Sequence, residues 1–318
     1  MKKVALLGEC MIELNGEPFG GMQQTFGGDS LNTALYLARS TSRTEVNVHY
    51  VSVMGKDALS SQIIKLWQAE GIDTSLVLID DQRQPGLYLI QLDTKGERTF
   101  LYWRNESAAR YLLQHPDFAK VALALSKMDV IYLSGISLAI LPPADRVALV
   151  RVLAELSHLG KQIIFDSNYR PALWESPTEA RACYQEVLAF TDVALVTDDD
   201  ERALWGDIST SHTLQRLRSA GVHEAVIKQG GKGCVYQELL TDQPAITIPA
   251  EPVPAIVDTT SAGDAFNAGF LAGYLLALSP ELCARMGHIL ASKVIQHKGA
   301  IVPEDATRDT TTTFKAIR

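Results

Sequence analysis

Short runs of apolar, often β-branched residues alternate along the chain with longer segments in which apolar positions recur with a helical period. The short runs predict strands over residues 4–7, 49–53, 129–134, 162–166, 193–197 and 225–228. The longer segments predict helices over residues 31–39, 60–70, 144–159, 177–190, 213–220, 263–278 and 282–296. This alternation predicts an α/β fold with a mostly parallel sheet flanked by helices on both faces. Ligands of such folds bind beyond the carboxyl ends of the strands.

Two β-rich regions break this alternation. Residues 87–93 and 98–104 flank the polar residues 94–97, which is the pattern of a hairpin, and residues 10–26 have a similar character. We interpret them as a small sheet, built from about 10–26 and 83–105 and inserted in a single catalytic domain that spans 1–318. A surface hairpin without a role is the alternative to a lid over the ligand site. The polar residues 307–313 are expected on the surface.

Composition excludes several classes of protein. With 47% hydrophobic and 21% charged residues, the chain resembles an ordinary globular protein. A net charge of −8 without a basic tract argues against nucleic acid as a partner. No apolar run is long enough to span a membrane, so a membrane partner is not expected. Glu9 and Glu13 interrupt the first apolar run, so a buried strand is favoured over a signal peptide. The scattered cysteines suggest neither a zinc site nor a disulfide framework, and the expected location is the cytoplasm.

The most informative segment covers residues 258–270, where small residues lead to Asp264 and an apolar run with helical spacing follows. A helix that starts there directs its free N–H groups and its positive dipole end at a ligand in front of it. A carboxylate beside such an anion site is useful if it faces something else, such as a hydroxyl that attacks a phosphorus. A turn and helix cap without a ligand is the alternative reading.

Other motifs follow predicted strands. Residues 228–234 form a Gly-rich turn that is neither a Walker A loop nor Gly-x-Gly-x-x-Gly, so dinucleotide binding loses support. Residues 26–32 offer Asp29 and Asn32 to a polyhydroxylated ligand, or form a plain helix cap. Arg170 could pair with a carboxylate or phosphate, or with an acid of the chain. The acids at 198–201 suit either a solvated helix start or Mg²⁺.

Together these motifs resemble those of the ribokinase-like (PfkB) carbohydrate kinases, and the match runs through nearly the whole chain. The segment 258–264 is the most specific part of it. The resemblance implies a ribokinase-like fold with a small β-sheet lid. It also implies transfer of the γ-phosphoryl group of ATP to a sugar hydroxyl, with Mg²⁺.

Within the family the resemblance is closest to members that phosphorylate a sugar acid. Residues 8–14, 96–100, 102–105, 133–139 and 168–174 carry it. It implies a phosphotransferase that converts 2-dehydro-3-deoxy-D-gluconate to 2-dehydro-3-deoxy-6-phospho-D-gluconate, or phosphorylates the equivalent hydroxyl. A sugar acid needs a cationic partner that a neutral sugar does not, and Arg104 and Arg170 are available for it.

The resemblance also implies roles for individual residues. Asp264 is the expected general base, and the backbone amides of Ala262, Gly263 and Asp264 form the expected anion hole. The residues expected to hold the sugar acid are Gly28, Asp29, Asn32, Tyr88, Tyr102, Arg104, Arg170 and Asp264. The residues expected to contact the nucleotide are Asn168, Asp198, Lys228, Gly230, Gly233, Ser261, Ala262, Gly263 and His288. Glu201 is expected to contact Mg²⁺ through water, and a monovalent cation near Asp258 and Thr260 stays open.

The chain departs from the family pattern at three of these positions. Asp198 stands where an Asn is usual, Ser261 replaces a common Gly or Ala, and His288 replaces an Asn found beside the adenine in many members. The last two departures leave the purine preference open, while the chemistry is expected to be retained.

Two alternative functions stay open. The first is a fructokinase or another hexose kinase of the family, and the second is a non-catalytic regulator that binds sugar acids. The intact Asp264 and the unbroken Gly-rich motif argue against the regulator. Exposed lid strands often pair across a two-fold axis, so a homo-oligomer, dimer or larger, is expected.

Overall fold

The computed structural model describes residues 1–17, 19–92 and 98–317. The described strands are β1 (Lys2–Leu7), β2 (Met11–Gly16), β3 (Met22–Gly27), β4 (Val46–Gly55), β5 (Val77–Asp80), β6 (Gly86–Leu92), β7 (Arg98–Trp103), β8 (Val130–Ser134), β9 (Gln162–Asp166), β10 (Val193–Thr197), β11 (Glu224–Lys228), β12 (Cys234–Glu238) and β13 (Ile246–Ile248). The described α-helices are α1 (Asp29–Ser40), α2 (Ala58–Ala69), α3 (Phe118–Leu125), α4 (Gly135–Ala139), α5 (Pro143–His158), α6 (Pro177–Leu188), α7 (Asp198–Trp205), α8 (Thr210–Ala220), α9 (Ala262–Leu275), α10 (Pro280–Val294), α11 (Glu304–Thr307) and α12 (Thr310–Ile317). Short 3-10 helices cover Ala108–Gln114, Pro171–Leu173 and Gly230–Lys232.

A large sheet has the strand order β13-β12-β11-β10-β9-β8-β1-β4-β5. Its strands from β11 to β5 pair in parallel, and only β12 and β13 are added antiparallel at one edge. After β1 the chain builds β4 and β5 on one side and then continues with β8 on the other. A crevice opens at such a reversal, outside the carboxyl ends of the strands. The predicted α/β fold with a mostly parallel sheet is therefore confirmed.

The core lies on both faces of this sheet. In β1, Val4 and Leu6 pack into one apolar cluster, whereas Ala5 and Leu7 pack into the cluster on the opposite face. Successive side chains of a strand point to opposite faces, so a strand covered by helices on both sides must be apolar throughout. This is why the buried strands could be located as short continuous apolar runs.

A smaller sheet has the order β3-β2-β6-β7 and is built from the two regions predicted for it. β2 pairs antiparallel with β3 and in parallel with β6, while β6 pairs antiparallel with β7. The predicted turn at 94–97 lies outside the described residues. The role of this sheet as a lid, and the single-domain boundary of 1–318, stay predictions.

Close contact between two helices fixes the direction of α9. A Cβ atom on Gly269 would come within 2.4 Å of the Met286 carbonyl oxygen, and one on Gly287 within 2.8 Å of Phe266. Only glycine leaves room for α9 and α10 to approach this closely. The first turn of α9 is therefore positioned by rigid packing behind it.

The expectation about the chain end holds only in part. Arg308, Asp309 and Thr312 are exposed, but Thr307 and Thr310 are buried, and α12 packs Phe314 into the core. The hydroxyl of Thr311 donates to the Arg39 carbonyl at 3.1 Å. Threonine methyl groups pack well in a core, so the polar composition misled the prediction at the buried positions.

Tyr36 gives a test of how firmly the C-terminal region is attached. Its buried hydroxyl donates to the Ala300 carbonyl at 2.7 Å and accepts from the Val302 amide at 3.1 Å. Tyr36→Phe leaves both backbone groups unsatisfied and should lower the free energy of unfolding by about 1–3 kcal/mol, measured by urea denaturation. Tyr111→Phe, which removes an exposed hydroxyl, is the control and should cost less than about 0.5 kcal/mol. Equal losses in both variants would contradict the prediction.

Candidate active site

A cavity of about 1150 Å³ lies between the carboxyl edge of the large sheet and the smaller sheet. The parallel strands β8, β9, β10 and β11 all end at this edge, so the residues that follow them converge there. The cavity is lined by every residue predicted for the site except Asp198 and Glu201. Residues about 240 positions apart in the sequence, such as Gly28 and Asp264, are thus brought to one place.

Asp264 lies in the first turn of α9 and faces α1. Its Oδ2 accepts hydrogen bonds from Asn32 Nδ2 and from Ser261 Oγ, both at 2.8 Å. Burial, reinforced by the charge of Asp29, raises the pKa of Asp264 to about 7, although those two hydrogen bonds act in the opposite direction. A carboxylate with this pKa can accept a proton near neutral pH, which is what a general base requires.

The start of α9 offers backbone donors beside this carboxylate. The Ala262 N–H already donates to the Thr259 carbonyl at 3.2 Å, and the first bond into the helix runs from Ala265 N to Ser261 O at 2.9 Å. Among the described residues, no backbone acceptor is recorded for the N–H groups of Gly263 and Asp264. Gly263 is exposed to the cavity. The two later amides of the predicted anion hole are therefore the ones available to a ligand.

Ser261 makes its hydrogen bond to Asp264 from a left-handed backbone conformation, with φ of 64°. This conformation is unfavourable for residues other than glycine and costs about 1–2 kcal/mol. It explains in physical terms why glycine would suit the position. Here the serine hydroxyl adds a hydrogen bond to the carboxylate that glycine could not make.

The aromatic residues of the smaller sheet form the opposite wall. Tyr88 donates to the buried Glu13, and its ring lies 5.9 Å from that of Tyr102. The Arg104 guanidinium forms an ion pair with Glu9 and lies 5.8 Å from the centre of the Tyr102 ring. Glu9 and Arg104 are both largely buried, so Arg104 is held in a fixed place with part of its charge offset.

Arg170 is the freer of the two predicted arginines. Its Nη1 donates to its neighbour's carbonyl, Tyr169 O, at 2.9 Å and lies 3.5 Å from Asp200 Oδ1. Its side chain is 51% exposed, against 9% for Arg104. A guanidinium with one weak partner and open N–H groups can bind a carboxylate in a bidentate manner.

The Gly-rich turn and its surroundings form the other end of the cavity. Gly230 and Gly233 have φ of 56° and 102°, and a Cβ on Gly233 would come within 2.1 Å of the Ile248 carbonyl oxygen. Asn168 donates to Asp29 Oδ2 at 2.7 Å and so joins β9 to α1. His288 packs edge-on against Phe266, and burial lowers the pKa of its imidazole, which keeps the ring neutral at pH 7.

The acids at the start of α7 are divided between the cavity and other contacts. Asp199 and Asp200 line the cavity, whereas Asp198 pairs with Arg202 on the surface and Glu201 is buried against Arg216. Asp198 and Glu201, which were predicted to contact the nucleotide and Mg²⁺, are thus each paired with an arginine of α7 or α8. Burial raises the pKa of Glu201 to about 7 despite Arg216. The described residues contain no cluster of three or more His, Cys, Asp or Glu that could hold a metal directly.

Three residues of the site were not singled out from the sequence as ligands. Glu9 and Asp166 line the cavity, and Asn267 lies behind it, in contact with Asp166 and Lys228. Asp166 ends β9, so its position at the carboxyl edge was a usable signal. Asn267 lies three residues after Asp264 on the same helix, and this spacing places both on one face of α9.

Comparisons with known proteins agree with this geometry. The model of the pfkB family carbohydrate kinases matches residues 1–307. A protein of Haemophilus influenzae named 2-dehydro-3-deoxygluconokinase is 57% identical over 306 residues, which is 96% of this chain and 97% of that protein. A fructokinase of Salmonella typhimurium is 28% identical over 85% of this chain and 83% of its own length. The solved aminoimidazole riboside kinase of Salmonella enterica, complexed with its riboside and an ATP analogue, superimposes with a TM-score of 0.79 at 21% identity, covering 99% of this chain and 100% of that chain.

The raised pKa of Asp264 predicts a pH-dependent effect on stability. Between the ordinary pKa of 3.8 and about 7, the folded protein holds a proton that the unfolded chain has released. Its free energy of unfolding therefore falls with rising pH in this window. Asp264→Asn removes this titration, so its stability relative to the original protein should increase from pH 4 to pH 7 and then level off. Urea unfolding at several pH values measures the difference, and a pH-independent difference would contradict the assignment.

The strained backbone of Ser261 predicts different effects of two small substitutions. Ser261→Gly and Ser261→Ala both lose the hydrogen bond to Asp264, but only glycine adopts the left-handed conformation without cost. The glycine variant should be more stable than the alanine variant by about 1–2 kcal/mol in urea denaturation. Equal stabilities would show that φ at this position is not strained.

Proposed function

The chain belongs to the pfkB family of carbohydrate kinases, and on that basis we propose that it is an ATP-dependent kinase of 2-dehydro-3-deoxy-D-gluconate. The product is 2-dehydro-3-deoxy-6-phospho-D-gluconate. The single observation that carries the choice of substrate is the 57% identity to the Haemophilus influenzae relative over nearly the full length of both chains. The fructokinase relative is considerably more distant.

Asp264 is the proposed general base. As the hydroxyl oxygen forms its bond to the γ-phosphorus, the bond to the bridging oxygen breaks and ADP leaves with the electron pair. The hydroxyl proton passes to Asp264, whose pKa of about 7 suits that step. The amides of Gly263 and Asp264 stabilise the charge on the transferring group, because phosphoryl transfer is catalysed chiefly by positioning and electrostatics.

The sugar acid is proposed to lie between α1 and the smaller sheet, where Gly28, Asn32, Tyr88 and Tyr102 line the cavity. Arg170 is the main partner for its carboxylate, since it is held only loosely by Asp200. Arg104 is already paired with Glu9 and acts as a fixed donor at the same end. This division of roles distinguishes a sugar acid from a neutral hexose, which would leave Arg170 without its partner.

ATP is proposed to bind along the Gly-rich turn, with Gly230 and Gly233 allowing close approach of its phosphates and His288 near the base. Mg²⁺ neutralises phosphate charge in this class of reaction. It needs few protein ligands because phosphates and water supply most of its oxygens. The acids Asp199 and Asp200 line the cavity and fit contacts of this kind, made through water. Glu201 keeps its proposed contact through water, although its Oε2 accepts from Arg216.

Two further features support proposals about the whole molecule. Phe100 and Tyr102 of β7 line the cavity, whereas Leu101 and Trp103, which alternate with them on this edge strand, are 37% and 59% exposed, and a second copy could cover these two in a homo-oligomer. The cysteines Cys10, Cys183, Cys234 and Cys283 are free thiols, which suits the cytoplasm. No helix among the described residues has the length and apolar character needed to cross a membrane.

A coupled assay for ADP release tests the substrate directly. With ATP and Mg²⁺, the purified protein should turn over 2-dehydro-3-deoxygluconate with a kcat/KM far above that for fructose. A carboxylate binds Arg170 through charge-assisted hydrogen bonds worth about 1.5–3 kcal/mol, so a preference of at least tenfold is expected. Turnover of fructose alone would favour the hexose kinase and overturn the proposed substrate.

Asp264→Asn tests the role of Asp264 as the general base. The same variant also controls for a contaminating kinase, whose activity the substitution would leave unchanged. It should lower kcat by about 10²–10⁴-fold, because the base is lost while the geometry is kept. Binding of the sugar acid, measured by calorimetry, should remain detectable. Binding without turnover in the original protein would instead support the non-catalytic regulator.

A further inference from the structure

A buried polar network lies directly behind the start of α9. Lys228, at the end of β11, places its Nζ 3.0 Å from Asn267 Oδ1 and 3.3 Å from Asp166 Oδ1. Asn267 Nδ2 in turn donates to Asp166 Oδ2 at 2.8 Å and to the hydroxyl of Tyr132 at 3.0 Å. All four residues are at least nine-tenths buried, and they come from β8, β9, β11 and α9.

The hydrogen-bonding capacity of this network is almost fully used. The Asn267 amide donates both of its hydrogens and its oxygen accepts from Lys228. The Asp166 carboxylate also accepts from the backbone amide of Asn168 at 3.3 Å and from the Tyr132 hydroxyl at 3.5 Å. An ammonium group has three N–H donors. Within the described residues, Lys228 uses two of them, one for Asn267 and one for Asp166.

The ammonium group of Lys228 lies close to the first turn of α9. The Nζ atom lies 3.8 Å from the position that a Cβ atom on Gly263 would occupy, and both residues line the cavity. Gly263 carries one of the two free amides of the anion hole. The ammonium is thus beside the point where the backbone donors converge.

Lys228 and Asp166 form a buried ion pair with a distance of 3.3 Å between Nζ and Oδ1. The Asp166 carboxylate also accepts from Asn267, Tyr132 and the Asn168 amide, which are neutral donors. Asn267 accepts from the ammonium without bringing a charge of its own. A second carboxylate in place of Asn267 would give the network a net negative charge, which would repel a phosphoryl group, whereas an amide holds the ammonium in place without adding that charge.

We propose that Lys228 is a catalytic residue that contacts the transferring phosphoryl group, and that Asn267 and Asp166 are the positioning residues that aim its ammonium at the anion hole. This goes beyond the predicted role of Lys228 at the border of the nucleotide, and it rests on the proposed kinase function. The step needs no proton from Lys228. Its positive charge stabilises the negative charge that develops on the phosphoryl oxygens, in addition to the two amides.

The proposal predicts that Lys228→Met discriminates between ATP and ADP. Equilibrium calorimetry in the presence of Mg²⁺ and without sugar acid should show an ATP affinity about tenfold lower, because a charge-assisted hydrogen bond to the γ-phosphoryl group is lost. The ADP affinity and the KM of the sugar acid should stay within about threefold, while kcat falls about 10²–10³-fold. Lys228→Arg keeps the charge and should recover part of kcat.

Asn267→Ala tests the positioning role. It should lower kcat and the preference for ATP over ADP in the same direction as Lys228→Met, with the KM of the sugar acid unchanged. Asn267→Ser, which keeps one polar group in the network, should recover part of both. Lys127→Met removes an exposed positive charge of a residue that does not line the cavity, and its kcat should be unchanged. If Lys228→Met fails to fold, Lys228→Gln removes the charge while keeping polar contacts.

Each outcome decides between the hypotheses. An active Lys228→Met enzyme, within about threefold of the original kcat, overturns the proposal, since loss of a catalytic charge costs far more. An equal loss of ATP and ADP affinity also overturns it, because Lys228 would then border the nucleotide without contacting the γ-phosphoryl group. If the original protein does not turn over the sugar acid, the proposed function fails, while the comparison of ATP with ADP still tests the contact of Lys228.

Discussion

The placement of the first turn of α9 is the constraint on which the site depends. Close packing at Gly269 fixes α9 from behind, and Asn32 of α1 holds Asp264 from the side. The amides of Gly263 and Asp264 can then face a phosphoryl group while the Asp264 carboxylate faces a hydroxyl. Neither the anion site nor the base would function alone, because in-line transfer requires both at a fixed separation.

The electrostatics of the cavity follow from how each cation is held. Glu9 holds Arg104, Asp200 contacts Arg170, and Asp166 binds Lys228. The three carboxylates reduce the electrostatic attraction of the cavity for an anionic ligand. They also fix the positions of the arginine and lysine side chains before a ligand binds. Preorganised donors need no rearrangement as charge develops, so this arrangement serves selectivity and rate better than free positive charge would.

The parts of the fold that could be predicted are those in which local pattern and tertiary structure agree. Strands buried on both faces are apolar throughout, so β9 and β10 were located with their observed bounds. Parallel pairing brings the carboxyl ends of β9, β10 and β11 to one edge, and Asn168 and Lys228, to which the family resemblance gave nucleotide contacts, lie there. The ion pair of Asp198 with Arg202 lies within α7, at a spacing of four residues, whereas the partner of Glu201, Arg216, comes from α8 and depends on packing between helices. The buried Thr310 was missed because composition does not reveal which threonines a helix packs against the core.

The polar network behind α9 shows why sequence motifs predict the type of reaction more readily than they predict all the residues that take part in it. Asp264 is conspicuous in the sequence because a carboxylate is unusual at an anion site, whereas Asn267 looks like any polar residue within an apolar helix. Its function follows only when β8, β9 and β11 are brought against it, since each of its hydrogen bonds goes to a different strand. Burying such an amide is unfavourable unless every bond is made. The complete set of partners around Asn267 therefore fixes this amide, and the amide in turn holds the Lys228 ammonium beside Gly263 at the wall of the cavity.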